Sequence, residues 1–124
     1  MGTPDPILAL RPFVPARDYD LSARFYEALG FVATHRDGDV TILKLGSFSF
    51  ILQSFFNAEA AANCMVQILV RDLDAWWSAN DPGRLVAPFG VKPPKPPAMQ
   101  SWGLKAGFVF DPSGVLWHVA EAPF

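Results

Sequence analysis

The 124-residue chain contains one cysteine, Cys64, and two histidines, His35 and His118. A single thiol cannot close an intrachain disulfide, so neither a disulfide framework nor an oxidising compartment is implied, and a cytoplasmic location is expected. No apolar run approaches the ~18 residues that a bilayer-spanning helix needs. The opening stretch MGTPDPILAL lacks a basic n-region and a small-residue cleavage site, which predicts a soluble, unexported protein with no membrane partner. Positive charge is equally sparse. Ten Lys and Arg are scattered along a chain of net charge −2, leaving no basic stripe for a phosphate backbone and arguing against nucleic acid. What is abundant is apolar and aromatic: 51% hydrophobic residues, eleven Phe and four Trp. That composition predicts one compact domain over 1–124, with aromatic rings to spare for a ligand or another subunit.

The chain nearly repeats itself. ARDYD (16–20) and VRDLD (70–74) lie 54 positions apart and each stands where an apolar strand passes into a helical pattern. Before the first lies Ile7 to Val14, a strand with an internal proline; after it Asp18 or Asp20 caps a helix carrying Leu21, Phe25, Ala28 and Leu29, which Gly30 stops. Strands follow at 31–36, 40–45 and 48–56, separated by the turns RDGD and Gly46-Ser47. The second copy offers a strand at 64–70, a helix over LDAWWSAN capped by Asp72 or Asp74, a short strand at 85–87, and strands at 105–110 and 115–121 joined by the turn Asp111-Pro112-Ser113-Gly114. Five of the twelve prolines fall in PFGVKPPKPPAMQSWG, which is expected to be irregular. The fold class is therefore α+β: two βαβββ modules, about 5–57 and 63–124, a structural duplication.

On these residues the sequence resembles the vicinal oxygen chelate superfamily of glyoxalases, bleomycin resistance proteins and dioxygenases. Its first-module pattern V-x-D…S-x-x-F-Y-x-x-L-G-F is matched by Ala16, Asp18, Ser22, Phe25, Tyr26, Leu29, Gly30 and Phe31, and its last hairpin D-P-x-G by Asp111 to Gly114. Trp102-Gly103, His118 and Val119-Ala120-Glu121, with VRDLD, further resemble the bleomycin resistance proteins. The resemblance implies curved mixed sheets forming a cup, and a homodimer with clefts between subunits. Metal-using members place a His in the first strand and a Glu in the last strand of each module. Here those positions fall on Arg11 and Met65, and near Gln53 and on His118. A guanidinium, a thioether and a neutral amide are poor company for a divalent ion, so no metal and no other cofactor is expected.

The function expected is metal-free binding and sequestration of a small aromatic or amphiphilic molecule, an antibiotic among the candidates, rather than catalysis; no catalytic residue is assigned. The expected ligand-binding residues are Trp102, as a stacking platform, with Arg11, Gln53, Met65, Phe55 and His118. Arg11 is the oddest of these, a cation in an apolar strand that calls for a carboxylate or an acidic ligand group. His35 reads as a solvated strand-end residue, Cys64 as a structural thiol, and one of Trp76 and Trp77 as a cover for the sheet or a contact to a partner. The alternative is a metal-dependent lyase, isomerase or dioxygenase with a rearranged centre that uses His118. A domain serving only assembly is a third reading.

Overall fold

The computed structural model describes residues 7–124. The first module runs β1 (Phe13–Pro15), α1 (Tyr19–Ala28), β2 (Val32–Arg36), β3 (Val40–Leu45) and β4 (Phe48–Gln53). After a linking helix α2 (Ala58–Asn63), the second runs β5 (Met65–Val70), α3 (Leu73–Asn80), a 3-10 turn (Pro82–Leu85), α4 (Val86–Phe89), β6 (Lys95–Met99), β7 (Lys105–Phe110) and β8 (Leu116–Glu121). Each module forms a four-stranded mixed sheet, ordered β1-β4-β3-β2 and β5-β8-β7-β6. In both, the first strand pairs in parallel with the last, and the remaining pairs are antiparallel. The α+β duplication read from the repeat is thus the architecture, and the two sheets stay open.

The repeated pentapeptides do the same work twice. The carboxylates of Asp18 and Asp72 accept from the N–H groups of Leu21 (3.1 Å) and Ala75 (3.0 Å), satisfying donors that a helix start leaves free. Asp20 and Asp74 lie in the first turns, where they complement the helix dipole and pair with a strand cation of their own module, Arg36 and Lys105 respectively.

Four local expectations are corrected. The strand expected over 7–14 shrinks to Phe13–Pro15, and Ile7, Leu8 and Leu10 stay exposed outside any sheet. Pro12 brings no N–H to the ladder, though its carbonyl still accepts from the Ile51 N–H at 2.9 Å. Residues 85–87 are helical, not extended: Pro82 opens the 3-10 turn, Leu85 is buried, and Phe89 sets its ring edge-on to Phe25. The second strand of the second module is instead β6, inside the proline-rich stretch expected to be irregular. It is an edge strand, and its ladder shifts register between Lys95 and Ala98, so Pro96 and Pro97 fall where a missing donor costs little. Finally α2, not expected at all, is an alanine-rich helix capped by Asn57, whose side chain accepts from the Ala60 N–H at 2.9 Å.

The modules are locked together through their inner layer. The Tyr26 hydroxyl on α1 donates to the Asp111 carboxylate in the β7–β8 turn (2.6 Å) and accepts from the Trp117 indole N–H on β8 (2.9 Å). The other Asp111 oxygen accepts from the N–H groups of Ser113 and Val115, both at 2.8 Å, and Gly114 at φ 88° completes the turn. Tyr26, Phe31, Phe50 and Trp117 then interlock, Tyr26 and Trp117 tilted and the other pairs edge to face, so the aromatic core itself spans both modules. At the second sheet, Trp77 covers Gly107: a Cβ there would lie 2.9 Å from Trp77 Cη2 and 3.1 Å from the Lys95 carbonyl oxygen. Both Trp76 and Trp77 are half-buried against the core.

Candidate functional site

With the helices on the inner side, the opposite face of each sheet is left open. On the second sheet, register places Met65 beside Leu116, Gln67 beside His118, Leu69 beside Ala120, and Phe108 beside His118 on its other flank. Directly opposed residues share a face. His118 is therefore central on this face, and it carries two rings: Trp102 stacks on it (centroids 6.1 Å apart, 30° between planes) and Phe108 meets it edge-on (4.9 Å, 88°). Trp102 remains 49% exposed, leaving a broad indole surface available.

Trp102 owes its position to a built hairpin rather than to an irregular loop. The Gln100 N–H donates to the Leu104 carbonyl (2.9 Å), the Gly103 N–H to the Gln100 carbonyl (3.0 Å), and the Gln100 side-chain amide to the carbonyls of Ala98 (3.1 Å) and Ala106 (3.2 Å). The β6–β7 connection thus holds its indole over the sheet at little further entropic cost on binding.

On the first sheet, Ser49, Ile51 and Gln53 alternate onto the open face while Phe50 and Leu52 enter the core. Arg11 joins them by donating its Nε–H to the Ser49 hydroxyl at 2.9 Å. Phe55 lies beyond the end of β4, so strand alternation does not assign it to this face; it is exposed. Phe48 is exposed as well. The expected ligand-binding residues accordingly fall into two groups. Met65, Trp102 and His118 belong to the second sheet, Arg11 and Gln53 to the first, and among the described residues no hydrogen bond or ring contact joins the groups.

Register also corrects one placement. Phe13 pairs with Ile51 as Gln67 pairs with His118, so the first-module counterpart of His118 is Ile51, and Gln53 corresponds to Ala120. The set at the superfamily's ligand positions becomes still less suited to a cation. Among the described residues there is no cluster of three or more His, Cys, Asp or Glu side chains that could hold a metal. An Arg, a Met, an Ile or Gln and one His do not fit a divalent ion, and no metal-dependent step is derived.

The buried titratable groups belong to the scaffold. Burial, ahead of the neighbouring carboxylate, pushes the Tyr26 hydroxyl well above its usual range. Burial likewise raises Asp111 in spite of the hydrogen bonds that favour its charged form. The Cys64 thiol is pushed up by burial and then by Asp111, the wrong direction for a nucleophile.

A second feature was not anticipated: an apolar cavity of about 340 Å³ between the modules, with Leu45, Phe48, Ser49 and Phe50 on one side and Val66 to Leu69 on the other. Phe108, Gln67 and Lys44 also went unnoticed as face residues. The Asp111–Gly114 turn was the available signal for Phe108, since a hairpin closed there pairs Phe110 with Leu116 and Phe108 with His118.

No protein-family model matches the chain. A bleomycin resistance protein of Klebsiella pneumoniae is 28% identical over 112 residues, 89% of each chain. Among solved structures, the bleomycin-binding protein of the bleomycin producer Streptomyces verticillus, complexed with copper(II)-bleomycin, superposes with a TM-score of 0.77 at 22% identity, covering 94% of this chain and 98% of that one. A lactoylglutathione lyase from Agrobacterium tumefaciens gives 0.64 at 16% identity, over 95% and 96%. The chain has the glyoxalase/bleomycin resistance fold and is similar to bleomycin resistance proteins.

Proposed function

We propose that this protein binds and sequesters a small aromatic or amphiphilic molecule, an antibiotic by class, without covalent chemistry or a metal. The observation that carries this reading is the ring stack on the open second sheet: Trp102 over His118, with Phe108 behind. Such a face offers a planar ligand stacking area beside the polar side chains of His118 and Gln67. The Klebsiella relative and the drug-bound Streptomyces structure support the same reading. Bleomycin itself is cationic, and a net charge of −2 gives it little attraction.

The working unit in this reading is a cytoplasmic homodimer. Its support is the apolar surface that one chain leaves open: Ile7, Leu8 and Leu10 are 87–94% exposed, and Met65 and Leu69 are exposed on the second sheet. A second copy can bring the Arg11–Gln53 face of one chain opposite the Trp102–His118 face of the other, uniting groups that a single chain keeps apart, with Met65 and Phe55 as apolar lining. Titration of planar drugs, bleomycin included, against intrinsic tryptophan fluorescence tests the site. Saturable quenching is expected, weakened at least tenfold in Trp102→Ala, and an unchanged response in that variant overturns the assignment. Sedimentation of the free protein as a monomer would remove the intersubunit cleft.

A further inference from the structure

Resting on the capture reading above, the inference concerns the chemistry of the ligand. The open face of the first sheet carries Val32, His35, Ile42, Lys44, Ser49 and Ile51, placed there by the pairs Val32 with Lys44, His35 with Ile42, Lys44 with Ser49, and Ile42 with Ile51. Arg11 is tied to the same Ser49. Two cations thus flank one hydroxyl, and none of these face residues is itself an Asp or Glu; the one carboxylate at the edge, Asp37, is engaged by His35 at 2.9 Å. Arg36 and Lys105 have carboxylate partners, whereas Arg11 and Lys44 take part in no ion pair among the described residues.

Neighbouring like charges on an apolar face repel, and covering the face raises the cost of leaving them uncompensated. Arg11 uses its Nε–H on Ser49, and among the described residues its terminal guanidinium nitrogens make no other hydrogen bond. They remain free for the two-pronged grip that a planar guanidinium gives an oxyanion, with Lys44 adding a second positive charge. Ser49 and Leu45 also line the intermodule cavity, whose remaining wall is almost entirely apolar. A ligand with an acidic head held by Arg11 and Lys44 has apolar surface adjoining it for its body.

We infer that the natural ligand is an anionic amphiphile, an apolar or aromatic body bearing a carboxylate, sulfonate or phosphate, whose acidic group is held by Arg11, Ser49 and Lys44. This separates the protein from relatives whose drug is cationic. The test uses a matched fluorescent pair, 8-anilinonaphthalene-1-sulfonate and N-phenyl-1-naphthylamine, which share their rings and differ in the sulfonate. The sulfonate probe is expected to bind about tenfold more tightly at low salt, and 1 M NaCl should largely remove the preference. Arg11→Gln and Lys44→Gln should each bring the two probes closer in affinity, weakening the sulfonate probe by more than the neutral one, with the thermal midpoint unchanged. Equal affinity of the two probes, or a preference that survives both substitutions, overturns this inference. Neutral-probe binding that is lost in Trp102→Ala would then leave the capture reading standing. Failure of both probes to bind would remove both proposals.

Discussion

Replacing Tyr26 with Phe removes one oxygen and, on this structure, two hydrogen bonds that tie the modules together. The Tyr26 hydroxyl is wholly buried, donates to Asp111 Oδ2 at 2.6 Å and accepts from Trp117 Nε1 at 2.9 Å. The ring survives in Tyr26→Phe, so the edge-to-face contacts with Phe31 and Phe50 remain and the apolar burial is nearly constant. Two buried polar groups lose their partner, at about 1–3 kcal/mol each, so the expected loss is roughly 2–6 kcal/mol. For a domain of this size that corresponds to a melting point lower by roughly 10–20 °C. Urea denaturation followed by circular dichroism and tryptophan fluorescence measures it, the two probes checking that the transition is two-state. Because burial raises Asp111, the penalty should shrink as the pH falls and the carboxyl acquires a proton of its own. A loss below about 0.5 kcal/mol would refute the claim that this network ties the modules, since an unpaired buried carboxylate oxygen cannot cost so little.

Other outcomes follow from single contacts. Gly107→Ala should destabilise by about 1–3 kcal/mol because the added methyl meets Trp77, and Trp77→Leu in the same background should recover part of the loss, read as non-additivity in denaturant midpoints. Asp18→Ala and Asp72→Ala should each cost about 1 kcal/mol as lost caps. Asp20→Ala and Asp74→Ala remove exposed ion pairs and should cost under about 0.5 kcal/mol in the same assay. The pH dependence has two opposed parts. Asp37, held at about 2 by the Val40 N–H, then by His35 and the Asp39 N–H, adds stability above its ordinary value of 3.8 that is lost as the pH falls towards 2. Asp111, raised by burial, binds its proton more tightly in the folded chain, so its contribution declines as the pH rises from 3.8 through its folded value. Denaturation from pH 2 to 7 should therefore show Asp37→Asn flattening the acid side, and the advantage of wild type over Asp111→Asn narrowing above about pH 4.

The duplication was legible because its marks are local. A capping aspartate must sit at the first turn of its helix, and Asp18 and Asp72 do so in both copies, which marks the strand-to-helix junction of each module without any knowledge of tertiary contacts. The strand over 105–110 and the turn after it were equally plain, since Gly114 can take a backbone angle that other residues resist. What escaped depended on position in the sheet. Proline reads as a strand breaker, and only the edge location and register shift of β6 make KPPAM admissible. Leu85-Val86-Ala87 looks extended by composition, yet burial of Leu85 and the packing of Phe89 on Phe25 favour a turn and a short helix.

The candidate site was legible in its residue types more than in its grouping. Trp102 and His118 were each visible in the sequence, but their stacking depends on how the Gln100–Leu104 hairpin folds back over β8. Gln53 was placed two residues from the true counterpart of His118 because strand offsets differ between copies, a fact that only pairing register reveals. Arg11 stood out as a cation in an apolar run. Its neighbour Lys44 did not, since a lysine at an exposed strand position is ordinary until register sets it opposite Ser49, the residue that Arg11 binds.

The most direct test of the central claim is equilibrium dialysis of the purified, chelator-treated protein against an aromatic amphiphile such as 8-anilinonaphthalene-1-sulfonate, with mass spectrometry of the ligand recovered. Sequestration predicts that the ligand concentrates on the protein side, is recovered at its original mass, and is retained less by Trp102→Ala. Recovery of a chemically altered product, or retention that appears only when a divalent metal is added back, would contradict it.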